Sequence, residues 1–76
     1  MESFRTLSPG TKVVTGELIQ IGCSCINEKH MLARKPGMRG TVVGPVFGCC
    51  DEVWWIQYDE DSQVGAYDLR ELILSP

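Results

Sequence analysis

The hydrophobic residues in the second half of the chain lie in short runs, which glycines and acidic turns separate. The clearest run is Val53–Tyr58, where aliphatic and aromatic residues follow one another without a helical period. Shorter runs stand at residues 11–15, 39–43, 63–67 and 71–74. Runs of this length, bounded by turn residues, are typical of antiparallel strands. The pattern predicts an all-β fold in which five strands close into a small barrel.

A turn signal at Ser8-Pro9-Gly10 separates the start of the chain from this predicted barrel. We expect an N-terminal arm at residues 1–8 and a single barrel domain at residues 9–76. The apolar fraction of 43% is that of a folded domain. A chain of 76 residues holds only a small core, so barrel closure, bound metal or self-association would add to its stability.

The connection after the first predicted strand, residues 16–35, is long for a compact domain. Residues 28–34 within it favour a helical turn, which Pro36-Gly37 ends. A second helical turn is predicted at residues 68–70, before the last strand. The long connection is therefore either an irregular first hairpin or a functional loop.

Charge is distributed unevenly along the chain. Residues 1–40 hold six lysines and arginines against three acidic residues (+3), and residues 41–76 hold one arginine against seven (−6), for a net charge of −3. A net negative chain is not expected to bind nucleic acid in general. The polarity would let the basic loop of one subunit meet the acidic rim of another, although two solvated faces would show the same distribution.

No apolar run approaches the roughly 20 residues that a membrane span needs. The N-terminal residues also lack the basic and then apolar regions of a secretory signal. We therefore expect a cytoplasmic protein that does not contact membranes. Disulfides are not expected in that compartment.

Three segments resemble SH3-like barrels: PGMRGTVVG at residues 36–44, QYD at 57–59 and GAYDLREL at 65–72. The last segment resembles the closing segment of the Mind bomb-type SH3-like domains, a likeness that implies peptide binding. The arrangement also resembles the type II dihydrofolate reductases, single-domain barrels of similar length that form a tetramer around one active pore. That likeness implies a small oligomeric enzyme with a shared pore site, in which the matching pore residue is Tyr67.

The four cysteines and the single histidine raise the question of zinc. Thiolates and imidazoles are its usual ligands, and two cysteines in C-x-C spacing point the same way in a strand. Adjacent cysteines point oppositely, so only one of Cys49 and Cys50 would join such a site. The candidate ligands of a zinc-stabilised binding module are Cys23, Cys25, His30 and Cys49. Because this spacing differs from C-x₂-C, free and mostly buried thiols, with no cofactor, are the alternative.

Two adjacent tryptophans stand in the strongest predicted strand, and they must face opposite sides of the sheet. Trp54 shares a face with Ile56 and Tyr58, which we predict to be the core. Trp55 then lies on the outer face beside Gln57. An outer-face tryptophan is typical of an interface anchor, unless the long connection folds over it.

These observations favour a non-catalytic SH3-like module that binds a protein partner or assembles with itself. With one histidine and no recognised nucleophile arrangement, catalysis has little support, although the small oligomeric enzyme stays open. The acidic turn after the strongest strand would bind a cation or a basic peptide, or be a plain solvated turn. The predicted binding residues are Phe47, Trp55, Gln57, Asp59, Asp61 and Tyr67.

Overall fold

The computed structural model describes residues 7–20, 26–47 and 52–75. Within these ranges the chain forms five strands, one short helix and one 3₁₀ turn, so the predicted all-β class is confirmed. In chain order they are β1 (Lys12–Thr15), α1 (Glu28–Leu32), β2 (Arg39–Pro45), β3 (Val53–Tyr58), β4 (Val64–Asp68), the 3₁₀ turn (Leu69–Glu71) and β5 (Leu72–Leu74). The predicted β3 matches in both bounds, and the other strand ends differ from prediction by at most two residues.

The strands form one antiparallel sheet in the order β4-β3-β2-β1-β5. The middle strands follow one another as hairpins, and the last strand returns to lie beside the first. Among the described residues β4 and β5 are the two edges and no pairing joins them, so closure into an SH3-like barrel stays a prediction. No helix in these ranges has the length and apolar content of a membrane span.

A bulge interrupts the pairing of β2 with β3. Val42 lies opposite Ile56, whereas Gly44 lies opposite Trp55, so Val43 is the extra residue. A bulge of this kind shifts the register by one residue and bends the strand. Here it places a glycine, rather than a side chain, opposite Trp55 on the outer face.

The main core lies on the inner face of the sheet. Trp54, Ile56 and Tyr58 are all buried there, as the alternation of β3 predicts. Two further strand positions on this face are glycines that leave room for them. A Cβ atom at Gly40 would lie 2.6 Å from Ile56 Cγ2, and one at Gly65 would lie 2.8 Å from the Tyr58 hydroxyl oxygen.

A second and smaller cluster lies on the outer face, over β3 and β4. Its buried members are Ile26, Val53 and Ala66, with Met31, Val46 and Trp55 packed against them. Ile26 and Met31 come from the long connection after β1. The connection therefore does fold over part of the outer face, and it buries one side of Trp55.

A buried carboxylate fixes the path of this connection. Glu71 is 1% exposed, and its Oε2 accepts hydrogen bonds from the Arg34 guanidinium and from the Ile19 amide at 2.6 Å. Its Oε1 accepts from the Asp68 amide at 2.8 Å, which closes a capping box at the 3₁₀ turn. One side chain thus joins both ends of the connection to the last turn of the domain.

Two buried tyrosines fix the segment after α1. The hydroxyl groups of Tyr58 and Tyr67 share a hydrogen bond, and that of Tyr58 also donates to the Ala33 carbonyl. The Tyr67 hydroxyl accepts from the Lys35 amide at 2.7 Å, and the Thr15 hydroxyl donates to the Lys35 carbonyl at 2.6 Å. Side chains from β1, β3 and β4 therefore hold the backbone that follows α1, and this positions the helix at the β4 edge of the sheet.

Candidate functional site

Trp55 is partly buried, and its two sides have different surroundings. On the α1 side, the His30 ring packs edge-on at 4.9 Å between ring centroids, with 67° between the planes. On the β2 side, the residue opposite is Gly44, where an added Cβ would meet no atom of the described residues within 4 Å. Residues directly opposite in a sheet have Cβ atoms only about 5 Å apart, so a side chain at this position would touch the indole. Trp55 is supported on one side and open on the other.

His30 fastens α1 to the edge of the sheet. Its Nδ1 lies 2.9 Å from the Val64 carbonyl oxygen, and because a carbonyl only accepts, Nδ1 carries the proton. The helix begins at Asn27, whose side chain accepts from the Lys29 amide at 2.9 Å. The Asn27 cap sets the first residue of α1, and the bond from His30 to Val64 sets the position of α1 beside β4.

A cleft of about 450 Å³ opens between α1 and the turn after β3. The described residues that line it are Lys29, His30, Ala33, Ser62, Gln63 and Val64. Ser62 has a φ angle of +63° and is the one non-glycine residue with positive φ in the described ranges. Its carbonyl accepts from the Gln57 side-chain amide at 3.3 Å. The predicted outer-face residue Gln57 thus supports one wall of the cleft.

The acidic turn is partly neutralised by its neighbours. Asp59 accepts from the Thr41 hydroxyl at 3.0 Å and from the Lys12 ammonium at 3.2 Å. The hydrogen bond from Lys12, and then that from Thr41, lower the pKa of the Asp59 carboxyl below its usual value. Asp61 accepts from the Gln63 amide at 3.0 Å. Both predicted acidic residues are exposed and help to shape the turn beside the cleft.

The two remaining predicted binding residues, Phe47 and Tyr67, differ strongly in exposure. Phe47 follows β2 and is 85% exposed, as a surface contact requires. Tyr67 is fully buried, with its hydroxyl group bonded to the backbone of Lys35. Its place in the core differs from that of an exposed binding residue, and its role in binding stays a prediction. The pore site around Tyr67 that the resemblance to the reductases implies likewise stays a prediction.

The predicted zinc site falls mainly on residues outside the described ranges, namely Cys23, Cys25 and Cys49. Within those ranges, no group of three or more histidine, cysteine or acidic residues is placed to hold a metal ion. His30 lies inside them, and one of its ring nitrogens is occupied by the Val64 carbonyl. The zinc hypothesis therefore stays a prediction.

Sequence reasoning did not single out Gly44, Lys29 or Ser62 as parts of a site. The Gly44-Pro45 dipeptide is a general turn signal, and it indicated the end of a strand rather than a bulge within one. Lys29 and Ser62 are common surface residues with no motif around them. Their importance comes from the position of α1, which depends on contacts between residues far apart in sequence.

No family model, curated protein or solved structure matches this chain. The likeness to SH3-like barrels therefore stays an expectation from the sequence. The function is inferred from the geometry of the outer face.

Proposed function

We propose that the protein is a non-catalytic module that binds protein partners through the outer face of the β2–β3 hairpin. The observation that carries this proposal is the space at Gly44 beside Trp55, which no atom of the described residues fills. An aromatic side chain buried on both sides serves the core alone. One that is supported on one side and open on the other is available to a partner.

The indole is also held in place before a partner arrives. His30 packs against it, and His30 is itself bonded to the edge of β4. Binding to a side chain that is already ordered costs less conformational entropy than binding to a mobile one. Tryptophan residues in such settings often contribute a large share of binding energy.

Exposed apolar residues extend the surface along the same hairpin. Val43, at the bulge, is 49% exposed, and Phe47, beyond the end of β2, is 85% exposed. Next to these apolar residues the outer face is polar, because Lys12 and Asp59 form an ion pair there. An apolar strip with a polar border is the usual composition of a protein interface. Apolar residues that follow one hairpin suit an extended segment of a partner, either a foreign protein or a second copy of the chain.

The test is a selection of peptides from a random display library on the immobilised protein. For the recovered peptides, we expect Trp55→Ala and Phe47→Ser each to weaken binding by about tenfold or more. Ile73→Ser is the matched control, because Ile73 is also an exposed apolar residue but lies on β5 at the opposite end of the strand order. Urea denaturation of each variant separates lost binding from lost folding.

Two results would contradict the proposal. One is that no peptide is recovered above background while the protein is folded and monomeric. The other is that the recovered peptides bind all three variants as tightly as the wild type. Sedimentation velocity at increasing concentration identifies the partner class. Self-association that the same two substitutions abolish would make a second copy the ligand.

A further inference from the structure

We propose that the cleft between α1 and the turn after β3 binds a single carboxylate group of the partner, with Lys29 as its counter-ion. This inference rests on the proposed function, since it names the chemistry that the same partner must carry. His30 contacts both Trp55 and the cleft. A partner segment that places an apolar residue on the open side of Trp55 can therefore continue past His30 and place a carboxylate in the cleft further along the same segment.

The residues around the cleft favour a negatively charged group. Among the described residues that line it, Lys29 carries the one formal charge, and none is acidic. Ser62 and Gln63 add a hydroxyl and an amide, both of which donate hydrogen bonds to a carboxylate. A hydrogen bond between a charged donor and a carboxylate is stronger than one between neutral groups.

Both walls of the cleft are fixed by hydrogen bonds. His30 binds the Val64 carbonyl at 2.9 Å, and Gln57 binds the Ser62 carbonyl at 3.3 Å. The Tyr58 amide donates to the Gln63 carbonyl at 2.8 Å, which ties the turn to β3. Small ligand sites are usually formed before the ligand arrives, and these bonds meet that condition here.

The backbone of Ser62 gives an independent reason to assign a role to this wall. A φ angle of +63° is a conformation that glycine adopts at little cost and that a residue with a Cβ atom rarely adopts. Conformations of this kind concentrate at ligand sites, where the side chain has a use. A serine at this position supplies a hydroxyl group to the cleft that glycine would lack.

Neighbouring charges limit the ligand to one negative charge. Asp61 precedes Ser62 of the cleft wall in the chain and accepts from the Gln63 amide at 3.0 Å, so its charge repels further negative charge. Asp59 is offset by its ion pair with Lys12. A phosphate group carries about −1.5 to −2 at neutral pH, which Lys29 alone would not balance against Asp61. A carboxylate, with a charge of −1, fits better.

The test is a titration of the ¹⁵N-labelled protein with three small probes, followed by amide chemical shifts. N-acetylglutamate N-methylamide presents a side-chain carboxylate, N-acetyl-leucine presents a C-terminal carboxylate, and N-acetylglutamine N-methylamide is the neutral control. We expect saturable shifts at the amides of residues 29–30 and 62–64 with a carboxylate and not with the glutamine probe. The stronger of the two carboxylate probes identifies the source of the group in a natural partner.

Three variants make the test specific. Lys29→Gln should weaken carboxylate binding by about tenfold, and Ser62→Gly should weaken it while making the protein more stable to urea. Lys35→Gln is the matched control, because Lys35 is exposed and does not line the cleft. Absence of saturable shifts at these amides, or equal shifts with the glutamine probe, would overturn the inference. So would unchanged binding in Lys29→Gln. Failure of the proposed function is a separate result. It would show as selected peptides whose affinity does not change in Trp55→Ala, whether or not the cleft binds a carboxylate.

Discussion

The two faces of the sheet use glycine in opposite ways. On the inner face, Gly65 is in full contact with its neighbours, because an added Cβ would lie 2.8 Å from the Tyr58 hydroxyl oxygen and 3.0 Å from Tyr67 Cε1. On the outer face, no atom of the described residues lies where the side chain of Gly44 would be. Core side chains occupy the space beside Gly65, whereas no described side chain occupies the space beside Gly44. The inner face is therefore built for stability, and the outer face keeps a surface open beside Trp55.

A buried and an exposed carboxylate differ in the same way. Glu71 has no exposed side-chain surface, and it holds Arg34 and both ends of the long connection. Asp59 pairs with Lys12 in the open, where both side chains are about half exposed. Removing one partner of a buried pair leaves an uncompensated charge in the interior, whereas a surface pair is screened by water and salt. Substitutions of buried residues should therefore affect folding, and those of exposed outer-face residues should affect binding.

The largest effect is expected from Glu71→Gln. The change removes the negative charge that compensates Arg34 inside the protein, and it should lower the free energy of unfolding by about 3–5 kcal/mol. Urea denaturation followed by tryptophan fluorescence measures it. Glu60→Gln, which removes an exposed carboxylate, is the control and should change stability little. Equal losses in the two variants would contradict the role assigned to Glu71.

A smaller effect is expected from Gly65→Ala. The new methyl group would press against Tyr58 and Tyr67, and overpacking of this kind costs about 1–3 kcal/mol. Gly44→Ala is the matched control, since it adds the same methyl group to open space on the other face. It should leave stability unchanged or raise it by up to about 1 kcal/mol. If both variants lose the same stability, the contrast between the faces is wrong.

The third prediction concerns alkaline pH. Burial first, and then the hydrogen bond with Tyr67, raise the pKa of the Tyr58 hydroxyl above its usual value. The folded state therefore keeps this proton where the unfolded chain releases it. The stability that results is complete below the usual pKa of about 10 and is lost as pH rises above it, by up to about 1.4 kcal/mol per pH unit. Urea midpoints between pH 8 and pH 11 measure the decline.

Tyr58→Phe separates this decline from the titration of other groups. The variant is less stable at neutral pH, because the Ala33 carbonyl and the Tyr67 hydroxyl lose a partner. Its stability should fall less steeply with pH than that of the wild type. Parallel curves would show that Tyr58 does not titrate differently in the folded state.

The smallest effect is expected from the surface pair. The pKa of Asp59 is lowered first by the hydrogen bond from Lys12, so its contribution to stability is present above the usual carboxyl pKa and is lost as pH falls through the folded value. Asp59→Asn should therefore differ from the wild type near pH 6 in low salt and converge with it at acidic pH. High salt should also remove the difference. A difference that persists in high salt would mean that the pair acts through more than charge.

The sequence predicted the sheet better than the site. Alternation along β3 was enough to assign Trp54, Ile56 and Tyr58 to the core, because one face of a strand must be buried. The strand β2 extends two residues further than predicted, since Gly44-Pro45 forms part of a bulged strand rather than a break. The pattern of residue types does not distinguish these two outcomes.

The contacts that build the outer surface had no local signal. Arg34 and Glu71 are 37 residues apart, and nothing in their spacing indicates that they meet in the interior. Tyr67 was predicted to contribute to binding, but it points into the core in phase with Trp54, its partner across the β3–β4 pair. A register of this kind depends on the paired strands together, and no single segment determines it.

The most direct test of the account fills the open space beside Trp55. Gly44→Ile adds a β-branched side chain that suits a strand, in a position where an added Cβ meets no neighbour within 4 Å among the described residues. We predict that the variant folds with at least the stability of the wild type and binds the selected peptides about tenfold or more weakly. Peptides that need Trp55 but bind Gly44→Ile as tightly as the wild type would show that the space at Gly44 is not the binding site.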